Sequence, residues 1–475
     1  MIFNSGFFLF LFLAFIMVYG ALHKTTVPRL IFVTLFSYYF YYKSSGFFFF
    51  LLGVITVSDF MLARFIAQAK VEWVRKMLLA ESLCIGLGLL FYFKYFNFFG
   101  LTLASLTHGN FQPADIFLPI GISFFTFQSL SYTIDVYRGN IKPLTHLLDY
   151  AFYISFFPPL VAGPIVRARD FISQIRQPLV VTSEMMNNGI YLIICGLFKK
   201  AIISDYIGLN FVDRIFDNPS LYSGIENLFG VYGYGLQIYC DFSGYSDMAI
   251  GIALLLGYRF NINFNSPYKS ATIQEFWRRW HISLSTWLRD YLYISLGGNR
   301  KGRVRTYINL FITMVLGGLW HGANWNFIIW GALHGLALAA HKFLRLILGR
   351  GKNDVAPTGS LRHVMGVVIT FHFVMFAWIF FRNPSLGDCK TVLAQIFLNF
   401  QPQVFLQMLS GYKLVFIFIF TGYLLHFMPG KIENYFKNQF ISLPLVLKAL
   451  VTIVLIYFIV QIKSSDIQPF IYFQF

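Results

Sequence analysis

The chain has 475 residues, of which 57% are hydrophobic, 20% aromatic and 12% charged, against about 25% charged in an ordinary soluble domain. These proportions exclude a soluble globular protein, and continuous apolar runs such as Phe47 to Leu52 exclude an outer-membrane barrel, whose strands alternate apolar and polar residues. The net charge of +17, from 37 Lys and Arg against 20 Asp and Glu, fits basic cytoplasmic loops, and no nucleic-acid partner is expected.

Stretches apolar enough for membrane helices are predicted near 6–22, 28–42, 46–63, 77–99, 117–137, 187–203, 226–257, 306–320, 325–343, 363–381, 412–428 and 444–462. They make an all-α polytopic membrane protein, a single membrane domain over 1–475, with about 11–12 spans plus re-entrant and interfacial helices. The first stretch lacks a basic leader and a small-residue cleavage site, so a retained span is expected. The 226–257 run is long enough to be broken. Basic residues at Lys24 and Arg29, Arg64 to Lys76, Arg138 and Lys142, Arg345 to Arg362, and Lys431 to Lys448 mark cytoplasmic loops. Alternation from them puts both termini on the outer side of the membrane. The cysteines Cys84, Cys195, Cys240 and Cys389 are widely spaced, which points to neither a disulfide nor a metal site.

Two stretches interrupt this pattern. Between Asp149 and Arg169, Pro158, Pro159 and Pro164 remove helical donors, and a re-entrant segment returning with Arg167 and Arg169 is expected. The segment 258–305 carries nine basic residues against Glu275 and Asp290 and reads as a cytoplasmic amphipathic element. Within it Phe276, Trp277, Trp280, Leu284, Trp287, Leu288 and Tyr291 recur at helical spacing, predicting one amphipathic helix with Trp at the membrane boundary and arginines outward. It serves as an interfacial anchor or as a cationic mouth for a phosphate-bearing donor, with Arg278 and Arg279 suited to phosphate.

The chemistry-bearing residues follow. His321 stands about 15 residues beyond the basic loop that ends at Arg305, too few to cross, so it belongs within the bilayer. An ionisable group at that depth needs a partner and a cavity; a packed structural histidine is the plain alternative. Gly317, Gly318 and Gly322 allow close approach of backbone or substrate. Trp320 and Asn324 flank His321 as candidate substrate contacts, Asn324 and Asn326 being equally suited to capping. His281 sits in the amphipathic segment, where packing beside Trp280 is the simpler role. Asp241, Ser243, Tyr245 and Asp247 concentrate polar groups in an apolar run, and cavity lining by Asp241 and Ser243 is expected over a structural polar knot. Neither a Walker-type loop nor an HExxH motif occurs, and no bound cofactor is expected. His334, His341, His372 and His426 read as packed helix residues. The tail from Pro469 to Phe475, on composition, suits an interfacial anchor.

Five stretches carry a resemblance: FWRRWHISLSTWLRDYLYISLGGNR (276–300), GGLWHGANWNFIIWGALHG (317–335), QIYCDFSGYSDMAIG (237–251), FFPPLVAGPIVR (156–167) and the terminal PFIYFQF. Together they resemble the membrane-bound O-acyltransferase family, in its bacterial branch of alginate and peptidoglycan O-acetylation proteins and the teichoic acid D-alanylation protein. The resemblance implies a helical shell around a transmembrane tunnel, with the essential histidine on His321 and a second, cytoplasmic-side histidine on His281. The tail looks like that branch's FxYxxF acyl-transfer motif, matched by Phe470, Tyr472 and Phe475, and 464–475 is then an extracytoplasmic acyl-transfer tail. Tyr472 is expected to accept an acetyl group from a cytoplasmic thioester, with acetyl-CoA as the donor, using His321 as base. An extracytoplasmic SGNH-type partner is expected to pass it to an envelope polysaccharide. The rival readings are a non-catalytic transporter or flippase of donor or glycan, and an acyltransferase acting directly on lipid or protein.

Overall fold

The computed structural model describes residues 3, 6–349, 357–462 and 470–471, and among them every regular element is helical. The chain forms two compact units, one of residues 1–193 and 245–261, the other of 194–244 and 262–475. By length and apolarity four helical stretches can cross a membrane, Thr26–Gln68, Glu72–Thr107, Trp325–Ile347 and Leu361–Arg382. Two bent pairs raise the number to six: Pro402–Gly411 with Lys413–Phe427 at 97°, and Gly430–Ser442 with Leu445–Gln461 at 115°. Fewer helices pass than the sequence suggested, because several apolar runs fold into shorter or polar-studded helices, such as Ile122–Tyr137 at 16 residues. Large exposed side chains such as Ile369, Phe420 and Val460 on these helices, and Phe10 and Met17 on the shorter helix Gly6–Leu22, form an apolar surface suited to lipid.

In the first unit the proline-rich stretch breaks as expected. Helix Leu147–Ser155 ends at Phe156, a single turn follows over Phe157–Leu160, and the chain runs irregularly to a new helix at Ala168. Phe156 to Arg167 are all buried, so this backbone lies against protein. Gly163 makes the bend possible, since a Cβ there would lie 2.3 Å from the Pro159 Cα.

Two local expectations are corrected. The 226–257 run is not broken: Gly224–Leu255 is one helix of 32 residues, because it contains no proline and buried polar side chains such as Asn227 and Asp241 find partners. The amphipathic helix over 276–291 does not exist as one piece. Helix Ile273–Arg279 stops at an extended Trp280, His281 adopts a left-handed conformation with φ 41°, and a second helix starts at Ile282. Nor does Trp280 mark a membrane boundary, since it is 1% exposed and packs in the core with Phe264, Phe276 and Trp378. The i, i+3 and i+4 spacing reports one apolar face; whether lipid or protein covers that face depends on the elements packed against it.

Candidate active site

His321 is the last residue of the Arg303–His321 helix, which stops as Gly322 turns extended; Asn324 then opens the Trp325–Ile347 helix. The two helices pack against each other through glycine contacts. A Cβ on Gly318 would lie 2.1 Å from the Phe327 carbonyl oxygen, and one on Gly331 2.4 Å from that of Met314. No larger residue fits without separating the pair, so these glycines set where His321 stands.

The His321 imidazole is 4% exposed. Trp320, Trp330 and Phe381 surround it edge-on, with ring centroids 5.0, 5.1 and 5.1 Å away. The sequence suggested a cavity-facing ring; the fold places it in an aromatic box. Trp320 is shared with His281, whose ring centroid lies 6.2 Å from that of the indole. The structure thus brings His281, Trp320 and His321 into one cluster from separate parts of the second unit.

His281 is completely buried. Its Nδ1 lies 3.3 Å from the Asn263 Oδ1, which also accepts the Ser283 N–H at 3.1 Å and the Ser283 hydroxyl at 2.9 Å. Since an amide oxygen only accepts, Nδ1 carries the proton and Nε2 holds the lone pair. Burial pushes this imidazole down to about 3, so it is neutral at physiological pH. Its left-handed backbone is uncommon for a residue other than glycine, and such geometry concentrates at functional sites.

Phe242 meets His281 edge-on at 4.5 Å and also meets the Phe470 ring at 5.3 Å. The terminal segment therefore reaches the histidine cluster through one aromatic ring. Phe470 is fully buried and Ile471 is 5% exposed. Tyr472 and Phe475 lie outside the described residues.

The other expected contacts divide. Asp241 and Ser243, expected to line a cavity, are 0% and 1% exposed and paired with lysines. Lys200 Nζ lies 2.5 Å from Asp241 Oδ1 and 2.7 Å from Asp205 Oδ1, and Lys199 Nζ donates to the Ser243 hydroxyl at 2.9 Å. The counter-charge explains how a carboxylate survives there. Gly244 permits the approach: a Cβ on it would lie 2.8 Å from the Gly196 carbonyl oxygen. Asn324 is engaged at both ends of its amide, accepting the Asn326 N–H at 3.0 Å and donating to the Pro384 carbonyl at 2.8 Å, the geometry of a helix cap. Arg279 pairs with Glu275 at 2.9 Å and donates to the Asn265 carbonyl at 3.1 Å, whereas Arg278 is exposed. Lys199, Lys200 and Phe242 were not singled out from sequence. The lysine pair within the apolar 187–203 run was the available signal, because a charge at membrane depth demands a partner.

The pattern of the MBOAT, membrane-bound O-acyltransferase family, matches residues 5–382, which include both histidines. The chain belongs to the membrane-bound O-acyltransferase family. It is 42% identical over 402 residues to a protein of Azotobacter vinelandii named probable alginate O-acetylase AlgI, covering 84% of this chain and 78% of that protein. A peptidoglycan O-acetyltransferase of Helicobacter pylori is 37% identical over 366 residues, 71% of this chain and 68% of the relative. A teichoic acid D-alanyltransferase of Bacillus subtilis is 30% identical over 282 residues, 57% of this chain and 70% of the relative. This O-acyltransferase is thus a multi-pass membrane enzyme whose relatives are named for modifying envelope polymers. The tail beyond residue 382 lies outside the family match.

Proposed function

We propose that this O-acyltransferase carries an acetyl group from a cytoplasmic thioester, acetyl-CoA, across the bacterial inner membrane for O-acetylation of an envelope polysaccharide of the alginate or peptidoglycan kind. The observation that carries the reading is the cluster of His281, Trp320 and His321, joined to the terminal segment through Phe242. Relatives named for alginate and peptidoglycan O-acetylation support the acceptor class.

In the reaction the Tyr472 hydroxyl attacks the thioester carbonyl while His321 takes its proton. The C–S bond breaks, and the thiolate leaves as the free thiol with the proton that His321 returns. Neutral His281 and the Trp320 indole line the donor side, and exposed Arg278 meets the donor's phosphates. The resulting phenyl ester is activated, because phenolate, with a pKa of about 10, leaves more readily than a sugar alkoxide. A serine of an extracytoplasmic SGNH-type partner then takes the acetyl group and transfers it to a sugar hydroxyl. Both termini of the chain lie on the periplasmic side. Asn324 contributes by capping its helix and holding the turn after His321.

The test compares His321→Ala and Tyr472→Phe with wild type. Each variant is expected to insert and fold yet leave the polysaccharide without ester-linked acetate, and labelled donor should mark Tyr472 in the wild-type protein. Wild-type acetylation by either variant removes that residue's role, and label on another side chain replaces the relay.

A further inference from the structure

The Asp241 carboxylate has two oxygens with different duties. Oδ1 faces Lys200 at 2.5 Å, and the same ammonium meets the half-buried Asp205 at 2.7 Å. Oδ2 accepts the backbone N–H of Ile471 at 2.8 Å, from a residue 230 positions away in sequence. A carboxylate at 0% exposure that spends one oxygen on a main-chain amide of the terminal segment is a costly arrangement, since each buried lone pair must be matched. Beside that bond, Phe470 packs at 0% exposure against Phe242, the residue following Asp241 and the ring that meets His281. One helical turn therefore supplies an anion for the tail's backbone and a ring for its side chain.

We propose that Asp241, oriented by Lys200, is the docking site for the chain's own C-terminal segment: it clamps the Ile471 amide, one residue before the Tyr472 that the acyl relay uses. This rests on the acyl-relay reading and assigns Asp241 as its positioning residue. Because the bond is to main chain, it fixes the register of the tail independently of side-chain identity at 471, and Phe470 supplies the apolar half of the grip. Lys200 occupies Oδ1, which leaves Oδ2 facing the tail. An asparagine at this position has one oxygen for two donors, and the lysine takes it, leaving an amide N–H₂ pointed at the Ile471 N–H.

The experiment uses full-length protein in detergent or vesicles, with Ile471→Cys as a probe that keeps the backbone N–H. Maleimide labelling at position 471 is read by peptide mass, and acetyl transfer is measured beside it. With Asp241 intact the thiol is shielded; adding Asp241→Asn is expected to raise its labelling rate at least tenfold and to lower kcat at least tenfold with little change in donor KM. Equal labelling rates in the two backgrounds overturn the docking site. Faster labelling with unchanged acetyl transfer upholds the docking site and overturns the relay reading, as wild-type transfer by Tyr472→Phe also does. Should Asp241→Asn not fold, Ile471→Pro, which removes the donated N–H and leaves the ion cluster whole, is compared with Ile471→Ala. Loss of transfer in the proline variant alone supports the clamp, and equal transfer in both overturns it.

Discussion

Acidification penalises the folded protein at His281. His281 is sealed from water, and burial lowers its ring from the ordinary 6.5 to about 3. Between those values the unfolded chain carries a proton on this ring that the folded chain does not, so stability rises with pH through that window and is lost as pH falls below 6.5. Each pH unit inside the window costs about 1.36 kcal/mol, so at pH 5 the folded state has lost about 2 kcal/mol to this residue. His281→Gln removes the titration and keeps a polar side chain beside Asn263. The assay is denaturant or thermal unfolding of the detergent-solubilised protein at pH 7 and pH 5, comparing the loss in wild type with that in the variant. The variant is expected to lose about 2 kcal/mol less on acidification, whatever constant offset the lost Asn263 contact adds. Equal losses in the two proteins refute the reasoning, because an imidazole already in contact with water titrates alike in both states and contributes no slope.

Two more outcomes test how the fold positions the site. Gly318→Ala drives a methyl into the Phe327 carbonyl and is expected to destabilise the protein by about 1–3 kcal/mol. It should also depress acetyl transfer by about a hundredfold if His321 shifts by about 1 Å; melting temperature and kcat read the two effects. Asn324→Ala loses a helix cap and is expected to cost about 1 kcal/mol of stability while kcat at saturating donor stays at the wild-type level. A fall in kcat without a fall in melting temperature assigns that amide to the donor instead.

Membrane character was legible in composition, since the entropy and hydration terms that select lipid over water depend on the summed apolar content of each run. His321 was legible too. Its distance from the basic loop and its neighbouring glycines are local facts, and the helix ends one residue past the apolar run read over 306–320. The proline-rich break at 156–167 follows from missing N–H donors, a property each proline carries wherever it stands.

Pairings between distant segments depended on packing. The helical spacing of Phe276, Trp280 and Trp287 announces an apolar stripe without saying what covers it, and the fold covers it with protein. Asp241 read as a cavity wall, and the fold makes it part of a buried polar knot with Lys200, Asp205 and the Ile471 amide. Periodicity and breaker residues act over one or two turns of chain, so they determine where helices start, stop and present an apolar face. Ion pairs and buried hydrogen bonds act across space, and only the folded chain decides which distant donor satisfies which buried charge.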